Sequence, residues 1–200
     1  QFDEVDPWLA QLTPPFALQS PANQKARLWG ISYEKSFGLA SVGFELNQRY
    51  HTALNSTPFN VLSEGGEAAK GKITNFIANT FVQLGTNSLW DAGILLAEIS
   101  YTHLNSVESG HNMYFGEGYS ACQTVNPLTG KPNSWRDGCS TKDSLAFAML
   151  FDPQWLQVFP GIDIDMPVSY TVGVSGNPAY RASGFYGQQT NIYSIGVKAT

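Results

Sequence analysis

Four carboxylates stand out because their types and spacing could attract a cation. Asp163 and Asp165 are two residues apart, and Glu45 and Glu98 lie in other segments with the same alternating pattern. Residues i and i+2 of a strand point to one side, so the two aspartates would share a face. One interpretation of the set is a cation-preferring lining or a weak divalent-ion site. The other is an ordinary polar lumen lining whose charge is balanced by basic residues. Those basic residues are Arg49 and Lys198.

The three histidines raise the question of hydrolysis. His51 and His103 are predicted at strand ends beside long loops, and His111 lies within a loop. Ser100 is near His103 in sequence, but their odd separation in a strand would put them on opposite faces. The sequence has no G-x-S-x-G or H-E-x-x-H motif. We therefore expect no enzyme, and keep a barrel-type lipid hydrolase as a second alternative.

The two cysteines, Cys122 and Cys139, lie near the ends of the polar stretch ACQTVNPLTGKPNSWRDGCS. Zinc binding is disfavoured because no CxxC or nearby histidine pair completes four ligands. A disulfide is predicted, which would stabilise the loop by roughly 3 kcal/mol in the chain-entropy account and imply an oxidising compartment. No metal and no cofactor is expected.

Period-two alternation is the strongest signal in the chain. In residues 161–175 the even positions are apolar and the odd positions polar or small, which predicts a long strand despite Pro167. Residues 89–104 also fit a helix capped by Ser88 and Asp91, but their β-prone neighbours favour a strand. Seven strands are predicted: 26–34, 39–50, 73–85, 89–104, 143–151, 161–175 and 190–199.

The predicted connections alternate between short and long. The long ones, 51–72, 105–142 and 176–189, follow the second, fourth and sixth strands. Up-and-down strands would then have every short turn at one end and every long loop at the other, as outer-membrane barrels do and Greek-key sandwiches do not. The predicted fold class is all-β: residues 1–200 form a segment of an antiparallel up-and-down transmembrane β-barrel, with 105–142 as a long external loop.

Charge placement predicts which face of that barrel lines the lumen. A lysine or arginine facing lipid at mid-bilayer costs about 2–4 kcal/mol, so charged side chains should point inward. The candidate lumen-lining residues are Glu45, Asn47, Arg49, Glu98, Asp163, Asp165 and Lys198. Aromatic residues near both strand ends fit two interfacial belts, although aromatics also flank strands in soluble β proteins.

Composition narrows the partners. The formal net charge is −5, which argues against nucleic acid because phosphate binding needs clustered lysine and arginine. The hydrophobic content of 42% argues against disorder. The first residues lack the features of a signal peptide and the last lie within a predicted strand, so we interpret the chain as part of a longer one.

Three stretches resemble a family. They are EKSFGLASVGFELNQRYHTALNSTPFN, HNMYFGEGYSACQ and FDPQWLQVFPGIDIDMPVSYTVGVSGNP. They resemble the DUF1302-like family of proteobacterial outer-membrane proteins of unknown function. The resemblance implies a longer barrel that continues beyond Thr200 and is concerned with hydrophobic or lipidic compounds. It carries over no functional residues, and the odd number of seven strands agrees with a partial barrel.

The predicted function is therefore a channel or transport barrel of the bacterial outer membrane for small or hydrophobic compounds. Its partners would be the lipid bilayer and a small hydrophobic ligand, with the oligomeric state left open. The first alternative is a secreted soluble β-domain that binds carbohydrate or protein through aromatic loops. The loop at 105–142 would either recognise ligands or merely cap the barrel. Its aromatic residues are Tyr114, Phe115, Tyr119 and Trp135.

Overall fold

The computed structural model describes residues 25–56, 68–126, 129–180 and 186–200. These residues form one antiparallel sheet and a short 3-10 turn at Trp135–Asp137, and they contain no α-helix. No helical segment within these ranges is long and apolar enough to cross a membrane. The strands are β1 (Arg27–Phe37), β2 (Ala40–Ala53), β3 (Lys70–Leu84), β4 (Ala92–Ser109), β5 (Asp143–Phe159), β6 (Ile162–Asp165), β7 (Val168–Ser175), β8 (Asn191–Ile195) and β9 (Lys198–Ala199).

The nine strands follow the course of the seven predicted ones. β6 and β7 both pair with β5 in a single register, because Asp165 lies opposite Gln154 and Val168 opposite Phe151. The gap between β6 and β7 falls at Pro167, which has no N–H to donate to the ladder. β8 and β9 are likewise in one register and separate beside the same proline, where Gly196 N donates to Pro167 O at 2.9 Å.

The alternation of connections is confirmed, with strands longer than predicted. β1 runs on to Phe37 and β5 to Phe159, so the turns that follow them are shorter than the sequence indicated. The turn between β3 and β4 is longer, because it covers residues 85–91 and not 86–88. Residues 89–104 prefer the strand over the helix, and β4 begins at Ala92. The short turns lie at one end of the sheet, here named the turn end, and the long loops at the other, the loop end.

The two faces of the sheet differ in character. The register places one row of small or polar residues side by side, Gly30, Asn47, Asn75, Thr102 and Ser144. We call this side the polar face. The opposite side, the apolar face, is populated by large hydrophobic residues. They include Phe44, Leu46, Phe76, Ile99, Phe147, Met149, Phe151, Tyr193 and Ile195.

The sheet is open within the described residues. β1 is one edge and β8 with β9 the other, and these edges do not pair with each other. The strands are also staggered, since the closing pair Phe37–Ala40 lies level with Val82 and Phe151 while β5 continues to Phe159. Such stagger accompanies strand tilt, which is needed before any sheet can close.

The hydrophobic core lies at the loop end, not across the sheet. It is formed where strand ends meet three long connections, 54–69, 110–142 and 176–190, whose described residues we call the loop cluster. Its buried members are Leu54, Ala69, Ile73, Leu104, Val107, Tyr114, Ala179 and Tyr180. None of the described strands or loops forms a second layer over the middle of the apolar face.

Candidate functional site

A chain of hydrogen bonds crosses the polar face between three strands. Asn75 is fully buried on β3 and donates through Nδ2 to Asn47 Oδ1 of β2 at 2.8 Å. On its other side, Thr102 Oγ1 of β4 donates to Asn75 Oδ1 at 3.0 Å. Asn47 in turn donates to Glu45 Oε1 at 2.8 Å. Each amide is therefore satisfied by its neighbours on this face, as buried polar groups must be.

The residues predicted to line a lumen all lie on the polar face by register. The four carboxylates are nevertheless spread out: Glu98 is opposite Ala148 of β5, whereas Asp165 is opposite Gln154 near the turn end. Asp165 is 3.7 Å from Lys198 Nζ, and Asp163 Oδ1 accepts from Gln157 N at 2.7 Å. The described residues contain no group of three or more acidic, histidine or cysteine side chains placed to hold a metal.

Arg49 is a cation of the polar face that packs on an aromatic ring and forms no salt bridge with the described residues. Its guanidinium lies 5.6 Å from the ring of Tyr180, and its Nε is buried with no hydrogen-bond acceptor. Its cross-strand neighbour is Ile73, which is fully buried. Burial raises the pKa of the Tyr180 phenol, so this hydroxyl stays neutral at physiological pH.

Asn55 ties the three long loops together. Its Nδ2 donates to Ser140 Oγ at 2.9 Å and to Pro178 O at 2.8 Å, so one side chain bonds two other loops. Its backbone N donates to Ala179 O at 2.8 Å, and its carbonyl accepts from Phe115 N at 2.9 Å. Asn55 is the first residue of an N-x-S/T sequence, but in the fold its amide serves the contacts between loops.

A glycine permits two of the loops to approach closely. Gly110 has φ +68°, a left-handed conformation that side chains disfavour, and a Cβ at this position would lie 2.8 Å from Ala69 Cα. Nearby, the Tyr114 and Tyr119 rings pack edge to face with centroids 4.8 Å apart. Burial raises the pKa of the Tyr114 phenol. Tyr114 is thus part of the core of the loop cluster, and Tyr119 packs against it.

The predicted disulfide between Cys122 and Cys139 is confirmed, with their Cα atoms 5.9 Å apart. Within its loop, Ser134 caps the short turn, and its N–H and hydroxyl both donate to Asp137. The bond from the backbone N–H of Ser134 and, to a smaller extent, the bond from its hydroxyl lower the pKa of the Asp137 carboxyl. Asn177 secures the loop from outside by donating to Trp135 O at 2.6 Å and to Cys139 O at 2.9 Å.

A cavity of about 340 Å³ lies between the disulfide loop and the loop that follows β7. Aromatic and amide side chains line it, which is a composition suited to a small polar or amphipathic molecule. The lining includes Asn55, Trp135, Asn177, Tyr186 and Gln189.

Two of the three histidines are paired with carboxylates, and the third, His111, stacks on the ring of Tyr119. His103 Nδ1 is 2.6 Å from Asp143 Oδ1 on the apolar face, and His51 Nδ1 is 2.6 Å from Glu108 Oε2. Ser100 is buried on the polar face, as its separation from His103 predicts. A serine–histidine pair for ester hydrolysis is therefore not assembled from these two residues.

A family model described as "Protein of unknown function (DUF1302)" matches residues 17–200. The chain belongs to this family. Comparison with curated proteins finds no match, and neither does comparison with solved structures. The family resemblance of the sequence is thus confirmed, while the function of this DUF1302 member has to be inferred from its own residues.

Two important parts of the site in this DUF1302 member escaped sequence reasoning. Asn75 and Thr102 lie on the same face as Asn47, and pairing the predicted strands by their alternation could have placed them there. The role of Asn55 had no sequence signal, because its partners are Ser140 and Pro178, far along the chain.

Proposed function

We propose that this sheet is part of the wall of an outer-membrane β-barrel that passes small or hydrophobic compounds. The polar face lines the lumen, the apolar face contacts lipid, and the loop cluster narrows the loop end. The observation that carries the proposal is an inversion of the usual burial pattern: asparagine and threonine are buried while large apolar side chains are exposed.

The inversion is clear within single strands. Asn75 of β3 is 0% exposed whereas its neighbour Phe76 is 37% exposed, and Asn47 of β2 is 4% exposed whereas Leu46 is 39% exposed. Water would oppose such an arrangement, because exposed apolar area costs about 25 cal/mol per Å². Hydrocarbon favours it, since lipid-facing and lumen-facing residues alternate along barrel strands.

The apolar face has the length of a bilayer. On β5 its alternate residues are apolar from Leu145 to Trp155. This run is roughly ten steps of about 3.3 Å each. At a strand tilt of about 40° it covers about 25 Å, the height of the apolar band of such barrels.

Polar and aromatic side chains mark the end of the band on the loop side. One row across the apolar face reads Trp29, Gln48, Thr74, His103 and Asp143. In it, Gln48 Nε2 donates to Thr74 Oγ1 at 3.0 Å and Trp29 Nε1 donates to Gln48 Oε1 at 3.3 Å. At the turn end, Trp155 Nε1 donates to Leu89 O at 2.7 Å. Such rings with polar partners favour membrane interfaces.

The lining supports passage of compounds that are partly apolar. Toward the turn end, a row of the polar face contains Phe81, Leu96 and Leu150, between Ser41 on one side and Ser169 on the other. Farther along, toward the loop end, one row of the lining consists of asparagine, threonine and serine, namely Asn47, Asn75, Thr102 and Ser144. A solute with both apolar and hydrogen-bonding groups has complementary surfaces along this path.

The proposal requires further strands. The edges at β1 and at β8 with β9 carry backbone groups without ladder partners in the described chain. Unpaired backbone groups cost several kcal/mol each in hydrocarbon, so a bilayer-spanning sheet must close. The missing strands would come from elsewhere in the same polypeptide or from a second copy.

Spin labelling of the full-length protein in lipid vesicles tests the proposal. Single cysteines would replace residues 147, 148, 149 and 150 in turn, and the native cysteines are held in their disulfide. Labels at Phe147 and Met149 should be accessible to oxygen dissolved in lipid, and labels at Ala148 and Leu150 to a water-soluble nickel complex. Equal nickel access at all four positions would contradict a lipid-facing apolar face.

A further inference from the structure

We propose that the loop end of β1 and β2 binds the phosphate headgroup of a membrane lipid, in the leaflet on the loop side. A cavity of about 320 Å³ lies there, and its lining combines cationic and aromatic side chains. The lining consists of Arg27, Leu28, Trp29, Tyr50 and His51. The inference rests on the proposed function, because it assumes that the apolar face contacts lipid.

Two cations, Arg27 in the lining and Lys72 stacked on the lining residue Tyr50, have no acidic partner within the described ranges. Arg27 is exposed and lines the cavity without an ion pair or side-chain hydrogen bond. Lys72 holds its Nζ 4.8 Å from the centre of the Tyr50 ring, a contact that leaves its ammonium donors available. The carboxylate of Glu108, beside the lining residue His51, is already engaged by the ring and the backbone N–H of that histidine.

Arginine and lysine together suit a phosphate group. The guanidinium can donate two parallel hydrogen bonds to phosphate oxygens, and the ammonium adds a second positive charge. Phosphate is the ligand chemistry that this pair of cations favours.

The position of the cavity argues for a lipid as the source of the phosphate. Trp29 belongs to the polar row that ends the apolar band, and Arg27 lies one step beyond it on the same face. A lipid whose acyl chains cover Ile31 and Leu46 would therefore carry its headgroup to the level of Arg27 and Lys72. Clustered basic side chains at a membrane surface attract anionic lipid headgroups.

Native mass spectrometry of the full-length protein in phosphate-free detergent tests the site. The probes are phosphatidic acid, diacylglycerol with the same acyl chains, glycerol phosphate and inorganic phosphate. The variant is Arg27→Gln with Lys72→Gln. The matched control is Lys35→Gln, because Lys35 also stacks on an aromatic ring, at 5.2 Å from Phe37, but near the turn end.

Phosphatidic acid should bind the wild type and the control at least tenfold more tightly than the double variant, with diacylglycerol retained by none. The inference would be overturned if diacylglycerol bound as tightly as phosphatidic acid. It would also be overturned if the control lost as much affinity for phosphatidic acid as the double variant. Glycerol phosphate or inorganic phosphate bound as tightly as phosphatidic acid would reassign the cavity to free anions and overturn the lipid source.

The spin-label pattern on β5 separates the two proposals, because it does not involve Arg27 or Lys72. Alternating accessibility without dependence of lipid binding on these cations would remove only the headgroup site. Loss of the alternating pattern would remove the barrel function, and the headgroup site with it.

Discussion

Asn75 is the residue on which the polar face depends most. Its carboxamide is fully buried, accepts from Thr102 and donates to Asn47, so it joins three strands. A buried donor or acceptor left without a partner costs about 1–3 kcal/mol. The hydrogen-bonded chain is therefore a source of stability as well as part of the proposed lining.

Replacing Asn75 by alanine should lower the free energy of unfolding by about 1–3 kcal/mol, because Asn47 Oδ1 and the Thr102 hydroxyl lose their partner. Denaturant unfolding of the full-length protein in lipid vesicles measures the change. Asn79→Ala is the matched control, since Asn79 is an exposed residue on the same face of the same strand. Equal losses of unfolding free energy in the two variants would show that the buried hydrogen bonds of Asn75 do not stabilise the sheet.

At the scale of the strands, alternation predicted the sheet well and missed its irregular ends. The predicted second strand ended at Tyr50 and the fifth at Phe151. In the structure the pairing of β2 shifts between Arg49 and Thr52, and that of β5 shifts between Trp155 and Phe159. His51 and Gln157, with φ of 52° and 50°, mark these bulges. A bulge interrupts the period of two, which explains why alternation ended the second strand at Tyr50. The fifth strand was predicted to end before its bulge, at Phe151.

The contrast between faces makes a prediction for two adjacent residues of β4. Ala97 lies on the apolar face opposite Met149, and Glu98 lies on the polar face opposite Ala148. Ala97→Arg should lower the free energy of unfolding in lipid vesicles by about 2–4 kcal/mol, because it places a charge against hydrocarbon.

Glu98→Arg is the control for that substitution, with the same introduced side chain one residue away. Its guanidinium would face the proposed lumen, so a change of less than about 1 kcal/mol is expected. If the two variants were equally stable, hydrocarbon would not cover the apolar face.

At the scale of the whole molecule, the loop cluster was out of reach of sequence reasoning. The residues that hold it together, Asn55, Ser140 and Asn177, come from three different loops and follow no period. Cysteine spacing gave the one reliable signal, the Cys122–Cys139 disulfide. The sequence thus predicted the sheet and its two faces, and left the contacts over the loop end to be found in three dimensions.

Removing the disulfide should open the loop cluster without unfolding the sheet. In the variant Cys122→Ser with Cys139→Ser, the loop would lose about 3 kcal/mol of constraint, or roughly a hundredfold in its open population. Tryptic cleavage after Arg136 should accelerate accordingly, and ion conductance through the full-length protein in planar bilayers should rise.

Reduction of the wild-type protein should reproduce both effects, and reductant should change nothing in the variant. An unchanged conductance alongside faster cleavage would mean that the loop does not narrow the path. Slow cleavage in the variant would instead mean that Asn55 and Asn177 hold the loop in place without the disulfide.

The proline between β6 and β7 has a mechanical consequence. Pro167 accepts from Gly196 but has no N–H to return, and Met166 N bonds to the carbonyl of a second proline, Pro153. Each proline removes one donor from the ladder, so two donors are missing along a line that crosses three neighbouring strands. Ladder hydrogen bonds give a sheet its bending stiffness, so curvature should concentrate along this line. The tips of β5, β6 and β9 can then incline together, while the pairing of β5, β7 and β8 keeps its register.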